Sequence, residues 1–339
     1  MLRHVITARG TRRRAVLGLT MAALLAAGSL TGCSALGGST NSSSGNASVE
    51  KSTIKVAILP TIDLSPLFLA QKEGYFKAEG LNVQIVNAAS GQATLQKVIS
   101  GEVDIAFATY VPFFLAKSKG VADIKLVADS VSASPNSNLI VTSPNSSVKT
   151  VKDLAGKRIG VTATGTASDT LTKAIMKANG IDYTKVQFVP TPFPSMAAAL
   201  THGDIDAAYM AEPFITQAEK SIGAVKVVDV ASGPTENFPI AGYGALAKFL
   251  TENPKTVAAF QRAMKKASDQ ASADRAKIQP LIVSDAKVDA DTAALVTLPN
   301  YHSTMDPSRL QRVPDQLLEL GLIPSRIDVT PMLAAQPTS

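Results

Sequence analysis

The sequence predicts an α/β protein built as two lobes of one design. Three observations carry that expectation. From Thr53 onward, short β-like runs alternate with helical ones. The alternation then repeats: Gly80 and Gly180, and Gly101 and Gly203, recur about 100 residues apart, and Gly101 and Gly203 are each followed three residues on by Asp and five on by Ala. Two extended segments, Asn138–Thr142 and residues 238–243, stand where the chain would leave and re-enter the first lobe, which gives a two-strand hinge.

The first lobe opens with a strand over 54–59. Ser65-Pro66 then starts a helix, with the serine as N-cap and the proline at a first position where its missing N–H costs nothing. Gly80 ends a second short helical piece, and 83–86 is the next strand. Residues 92–100 form a helix with Leu95, Val98 and Ile99 on one face, closed by Gly101, and 104–108 is a strand. The second lobe repeats the plan: a strand over 158–161, and a helix over 167–178 with Leu171, Ala174, Ile175 and Ala178 at helical spacing. A strand over 185–189, a helix over 195–201 and a strand over 206–209 follow. The remainder reads as helices over 254–275, around 289–296 and over 306–320, with Pro314 expected to break or kink the last. Packing these helices on the first lobe gives lobe 1 as 53–142 plus 239–339 and lobe 2 as 143–238.

The N-terminus has a different character. A basic stretch to Arg14 precedes an uncharged, mostly apolar run over 15–30, shorter than the roughly 20 residues that span a bilayer comfortably. Small residues follow, so 1–32 reads as a secretory signal peptide. Leu30-Thr31-Gly32-Cys33 resembles the lipobox of bacterial lipoproteins, and that resemblance implies a cysteine acylated on its thiol and left as the new N-terminus. Cys33 is the only cysteine, so no disulfide within the chain competes for it. The run from Thr11 to Leu17 resembles a twin-arginine export signal, except that Ala15 stands where an aromatic is usual; both export routes stay open. Residues 33–52, rich in Ser, Gly, Asn and Ala, are expected to form a flexible tether. The leader also explains the charge. It holds five arginines and no acid, and without it the chain carries 28 basic against 27 acidic side chains, so the formal +6 is no footprint of nucleic-acid binding.

The run Ala70-Gln71-Lys72-Glu73-Gly74-Tyr75-Phe76-Lys77-Ala78-Glu79-Gly80-Leu81-Asn82-Val83 resembles the sulfonate/nitrate/taurine-type substrate-binding proteins of ABC importers, a family that includes thiamine-pyrimidine precursor binders and synthases. The resemblance continues through the stretch from Ser100 to Ala106, the stretch from Val151 to Val161, Gly203-Asp204-Ile205-Asp206-Ala207-Ala208 and Glu212-Pro213-Phe214, covering about 53–250 in the family's order. It implies a two-lobed periplasmic-binding-protein fold of type II topology, monomeric and without cofactor. It also implies a small solute, such as a sulfonate, taurine, nitrate or a pyrimidine-like heterocycle, passed to a membrane permease and its ATPase.

In an open α/β sheet a ligand sits beyond the carboxyl ends of the strands, where helix N-termini present N–H groups and a partial positive charge. The residues at those places are Thr61, Asp63 and Ser65, then Ser90, Gly91 and Gln92, then Thr109 and Tyr110. In the second lobe they are Thr164, Gly165, Thr166, Ala167 and Ser168, which match the family's ligand-contacting loop by position. Ser65 and Ser168 read equally as N-caps, and Glu212 equally as a hinge or structural contact. Asp104 and Asp206 read as turn or cap residues. The three histidines form no cluster of metal-ligand spacing, and no nucleophile motif is present, so the reading is a binder with no catalytic residues and no metal. The chain departs from the family in having no Trp and in placing Ala211 before Glu212, where an aromatic is frequent. Arginine is sparse in the lobes, so a guanidinium clamp for an anion is not visible. Two other readings compete with a lipid-anchored import receptor on the outer face of the cytoplasmic membrane. One is a ligand-binding module feeding a sensor. The other is a pyrimidine-synthase-like enzyme, whose relatives are intracellular and carry a Cys-rich motif that this chain lacks.

Overall fold

The computed structural model of the protein describes residues 48–337. The chain runs β1 (Thr53–Ile58), α1 (Ser65–Lys72), α2 (Tyr75–Ala78), β2 (Asn82–Asn87), α3 (Gly91–Ile99), β3 (Ile105–Thr109), α4 (Tyr110–Ser118) and β4 (Ile124–Ser132). It then enters β5 (Asn138–Thr142), β6 (Arg158–Val161), α5 (Ala167–Ala178), β7 (Gln187–Pro190), α6 (Phe193–His202), β8 (Ala207–Ala211), α7 (Phe214–Ile222) and β9 (Val225–Asp229). The last part is β10 (Pro239–Leu246), α8 (Ala247–Glu252), α9 (Pro254–Ala273), α10 (Arg275–Asp285), α11 (Ala290–Leu295), β11 (Asn300–Tyr301) and α12 (Pro307–Glu319). Strands 1, 2, 3, 4, 10 and 11 make one sheet in the order β11-β4-β10-β3-β1-β2, and strands 5 to 9 make a second in the order β7-β6-β8-β5-β9.

The two sheets repeat one wiring diagram. In the first, β1 lies parallel to β2 and β3, and β10 runs antiparallel between β3 and β4. In the second, β6 lies parallel to β7 and β8, and β5 runs antiparallel between β8 and β9. This is the type II topology. The repeat extends to single atoms: Asp104 accepts the Lys55 N–H at 2.9 Å while its own N–H donates to Lys55 O. Asp206 accepts the Arg158 N–H at 2.8 Å and likewise returns its N–H to Arg158 O. Each aspartate thus brackets an equivalent strand, β1 in one lobe and β6 in the other, at a place that the sequence reads as a turn or cap.

Asn138–Thr142, expected to close lobe 1, instead lies inside the second sheet, paired on both sides. The crossings themselves are shorter. They run side by side, with the Ala133 N–H donating to Phe238 O at 2.9 Å. The end of the expected tether also differs: Val49 packs on the core, the Glu50 carboxylate accepts the N–H groups of Lys255 and Thr256 at the start of α9, and Lys51 pairs with Asp104. A cap on an otherwise unpaired helix N-terminus fixes these residues to the body. Residues 1–47, with the expected signal peptide and Cys33, lie outside the described residues. Pro314 does not end α12, because its buried neighbours Leu310, Val313 and Leu317 hold the helix across the one missing hydrogen bond.

The C-terminal helices pack on the first sheet. Phe260 of α9 stacks on Phe76 and meets the edge of Tyr243, which in turn tilts against Phe107. On the other face α4 lies over Gly242 and Gly244, where an added Cβ would run into the rings of Tyr110 and Phe113. Beneath α12 sits a buried polar knot: the Asp129 carboxylate accepts from the Tyr110 hydroxyl at 2.6 Å, from the Ser130 N–H and from Arg309. Arg309 also donates to Ser132 Oγ, which lies 2.8 Å from His302 Nε2. Burial pushes the Asp129 carboxyl up to about 6 against the pull of Arg309, so it is ionised at neutral pH. Removing one partner of such a pair strands the other. Arg309→Ala is expected to cost about 3–5 kcal/mol in urea denaturation, whereas Lys248→Ala, which breaks an exposed pair with Glu252, is expected to change stability by under about 0.5 kcal/mol.

Candidate functional site

The carboxyl ends of β1, β3, β6 and β8 face one another across a narrow cavity between the lobes. β5 and β10 run antiparallel to their neighbours, so it is their amino ends that reach the same edge. They bring Asn138, Ile240 and Ala241 into the lining, alongside Leu59, Phe107, Thr162, Phe193 and Tyr209. None of these carried a local signal. The places of Asn138, Ile240 and Ala241 depend on which way two strands run.

Of the residues expected to hold a ligand, Thr61, Asp63, Gly91, Thr109, Thr166, Ala167 and Ser168 line the cavity. The others lie elsewhere. The Ser65 hydroxyl turns back to Ile62 O at 2.7 Å, and the Ser90 hydroxyl accepts from the Ala93 N–H as the N-cap of α3. Tyr110 points into lobe 1 toward Asp129. Gln92, Thr164 and Gly165 line a separate groove with Leu115 and Pro112. Gly165 is required there, since its φ of 74° is left-handed and a Cβ would stand 3.1 Å from Leu115 Cδ1. The buried Glu212 accepts from the Thr216 hydroxyl and N–H and from the Thr297 N–H, tying lobe 2 to the segment that follows α11. It is a structural contact.

The lobes touch at the cavity. The Ala167 N–H at the start of α5 donates across it to Thr109 Oγ1 at 3.2 Å. A string of hydroxyls follows, with Thr166 Oγ1 2.7 Å from Ser168 Oγ and the latter 3.4 Å from Thr162 Oγ1. The N-terminus of α5 is closed by a capping box in which Asp169 accepts the Thr166 N–H at 2.9 Å and Thr166 Oγ1 accepts in return. Asp169, 1% exposed and paired with Lys173 at 2.7 Å, already supplies the negative charge that a helix N-terminus favours. The N–H groups of Ala167 and Ser168 at this helix start are likewise engaged within the protein, by the hydroxyls of Thr109 and Thr166.

Residues 61–277 match the NMT1/THI5-like family. The chain belongs to that family. It is 30% identical over 228 residues to the 4-amino-5-hydroxymethyl-2-methylpyrimidine phosphate synthase of Aspergillus parasiticus, an overlap covering 62% of this chain and 64% of that one. It is likewise 30% identical over 169 residues to the taurine-binding periplasmic protein of Escherichia coli, covering 49% of this chain and 51% of the other. The chain thus spans less than two thirds of the length of these two relatives. In fold it resembles the alkanesulfonate-binding protein SsuA from Xanthomonas axonopodis pv. citri bound to MOPS, with a TM-score of 0.72, 18% identity, and coverage of 85% of this chain and 99% of that one.

The cavity between the lobes takes its charge from few groups. Its lining includes one carboxyl, Asp63, and no Lys, Arg or His. No hydrogen bond of good geometry reaches the buried Thr61 hydroxyl next to it. Burial pushes the Asp63 carboxyl up to about 7, with the nearby Thr61 hydroxyl pulling slightly the other way. Between the unfolded value of 3.8 and about 7 the folded state keeps a proton that the unfolded chain has released. Stability from this group is present below that window and lost as pH rises through it. Asp63→Asn is accordingly expected to raise the ligand-free melting temperature at pH 8, by on the order of 1–3 kcal/mol of stability, and to change little at pH 4. An equal effect at both pH values would remove Asp63 from this role.

Proposed function

We propose that the protein is an exported solute-binding receptor of an ABC importer, anchored through an acylated Cys33, which encloses a small molecule between its lobes and presents it to a permease. The observation that carries this reading is the cavity itself. It is built from strand ends of both lobes, bridged by the Ala167–Thr109 hydrogen bond, and reached by only two chain crossings. A cleft of that construction opens and closes by bending the crossings, and a ligand that touches both walls stabilises the closed form. The taurine-binding relative and the alkanesulfonate-binding neighbour support the same role. Docking the receptor on a permease and sensing by a partner protein use the same closed state; the importer is the reading that these relatives favour.

The relative named as a synthase favours a second reading, catalysis. The lining offers a lone carboxyl and a phenol, Tyr209, whose proton is held more tightly than usual by burial. A nucleophile–base pair needs two groups in hydrogen-bond reach, and binding remains the reading that the lining supports.

Two measurements test the proposal. In thermal-shift screening of the protein from residue 34 onward against sulfonates, taurine, nitrate and aminopyrimidines, one class at a hundredfold excess over its dissociation constant is expected to raise the melting point by roughly 5–10 °C. That rise is expected to vanish in Thr166→Ala/Ser168→Ala; a shift that survives the double change would place the ligand elsewhere. Labelled palmitate is expected to enter the full chain in cells and to be lost in Cys33→Ala, and persistent label would sink the anchor.

A further inference from the structure

Resting on the receptor reading, we infer that Arg312 is a positioning residue for solute capture. It clamps the second chain crossing and holds lobe 2 in the orientation that encloses the cavity, with the hinge bending at Asn136 and Asn237. The crossings are the stretches 133–137, between β4 and β5, and 230–238, between β9 and β10. Hydrogen bonds mark where each passes from one lobe to the other. In the first, the Ser134 hydroxyl donates to Leu298 O at 2.6 Å, on the lobe 1 side. Two residues on, the Asn136 N–H donates to Asp229 Oδ2 at 2.8 Å and Asn136 Oδ1 accepts from Lys226 at 3.0 Å, both partners on β9 of lobe 2. In the second, the 3₁₀ turn Gly233–Thr235 packs on α5 of lobe 2. The buried Thr235 hydroxyl lies 2.5 Å from Val230 O and 2.9 Å from Ser232 O, and the Glu236 N–H returns to Gly233 O. Just beyond, Asn237 Oδ1 accepts from Asn300 Nδ2 at 3.1 Å and Phe238 O accepts from the Ala133 N–H, both on the lobe 1 side.

Each changeover therefore falls at an asparagine. Asn136, with a φ of 65°, and Asn237, with a φ of 46°, are in the left-handed region, where among the described residues the one other non-glycine is Lys287. A Cβ disfavours that region, and asparagine reaches it more readily than most side chains. Residues of this kind absorb the large local rotations that a bending point needs.

Arg312 stands across the second changeover. Its guanidinium donates to Pro234 O at 3.1 Å and Glu236 O at 2.9 Å on the lobe 2 side, and to Asn237 O at 3.1 Å on the other. Its Cζ also lies 5.4 Å from the centroid of the Phe238 ring. A planar fork of donors meets several acceptors at once only in one arrangement of them. Helix α12 keeps the fork in place. One turn earlier Arg309 is bonded to Asp129 and Ser132 of β4, and at the far end the carbonyls of Glu319 and Leu320 accept from Lys177 and Tyr183 of lobe 2. The helix is a strut rooted in lobe 1 that meets the hinge at its middle and lobe 2 at its end. When the lobes part, Pro234 and Glu236 move with lobe 2, away from a guanidinium fixed to lobe 1. The clamp thus favours the arrangement in which Ala167 meets Thr109. A solute that needs both walls binds in proportion to the fraction of protein in that arrangement.

Interlobe distances test this with no solute added. The chain from residue 34 onward contains no cysteine, so spin labels on Glu73→Cys and Ala198→Cys report a single distance. Both positions are exposed, at the end of α1 and on α6, helices whose Phe68 and Pro194 line one groove across the cleft. In pulsed electron paramagnetic resonance, Arg312→Ala is expected to move the distribution to longer distances and broaden it. Arg326→Ala, which breaks an exposed pair with Asp315 of α12, is expected to leave it unchanged. An unmoved distribution in Arg312→Ala, or an equal shift in Arg326→Ala, would overturn the inference. If Arg312→Ala does not melt cooperatively, Asn237→Gly takes its place. That change removes the Asn300 contact and admits more backbone conformations, so the distribution is expected to broaden, and an unmoved one overturns the inference. The thermal-shift panel judges the receptor reading separately. A silent panel with a shifted distribution removes the receptor and leaves the clamp, and a responsive panel with an unmoved distribution does the reverse.

Discussion

Each sheet of this protein holds in its interior the strand by which the chain enters it from the other lobe. β10 fills the slot between β3 and β4, with Ala241 opposite Thr109 and Tyr243 opposite Ala128. β5 fills the matching slot between β8 and β9. A slot of this kind exposes unpaired N–H and C=O groups on both neighbours until it is filled, which is costly in a buried sheet. The first lobe therefore cannot close its hydrogen bonding until the second has been traversed. The two lobes keep separate sheets and share one continuous buried core, and the two crossings between them are tied by the Ala133–Phe238 hydrogen bond.

The cleft is a direct consequence. Because the exchanged strands run against their neighbours, their amino ends meet the carboxyl ends of the parallel strands, and both crossings begin at the rim of the cavity. Asn138 and Ile240 stand one on each exchanged strand, so the lining and the hinge share residues that are adjacent in sequence. Any solute that pulls the walls together acts on the crossings through one or two peptide units. The surrounding contacts are arranged on both sides of this opening. Glu212 reaches Thr297 and Lys220 reaches Asp289 and Thr292 on one side, and Tyr183 reaches Leu320 and Lys177 reaches Glu319 on the other. The lysine contacts to Asp289 and Glu319 are exposed and individually weak, whereas the Glu212–Thr297, Lys220–Thr292 and Tyr183–Leu320 contacts are half-buried.

Polar residues inside the protein fall into two groups with different chemistry. Asp129 has a complete shell of donors and welds α4, β4 and α12 into one unit behind the cleft. Asp63 and Thr61 have incomplete shells and face the cavity. A buried polar group without partners costs free energy in the empty protein, and a binding site is the place where that cost is returned when a ligand supplies the missing group.

What the sequence determined by itself was the repeated βα plan, because hydrophobic periodicity and the glycines at 80, 101, 180 and 203 are local signals of where elements begin and end. It also pointed to the strand-end loops that hold Thr61, Asp63, Thr109 and the stretch from Thr166 to Ser168, since these follow strands in the plan. The tertiary structure alone decided the rest. β4 hides its strand pattern because both faces are buried and its polar residues answer partners about 170–180 residues away, at His302 and Arg309. Whether a strand-end residue faces the cleft is likewise a matter of rotation and pairing: Ser65, Tyr110 and Glu212 follow the same sequence logic as Asp63 and turn to other partners. The charge of the site was beyond the sequence for the same reason. Counting arginines shows how many there are, and only the fold shows that the guanidinium groups of Arg275 and Arg309 are engaged elsewhere while the carboxyl of Asp63 is left facing the cavity.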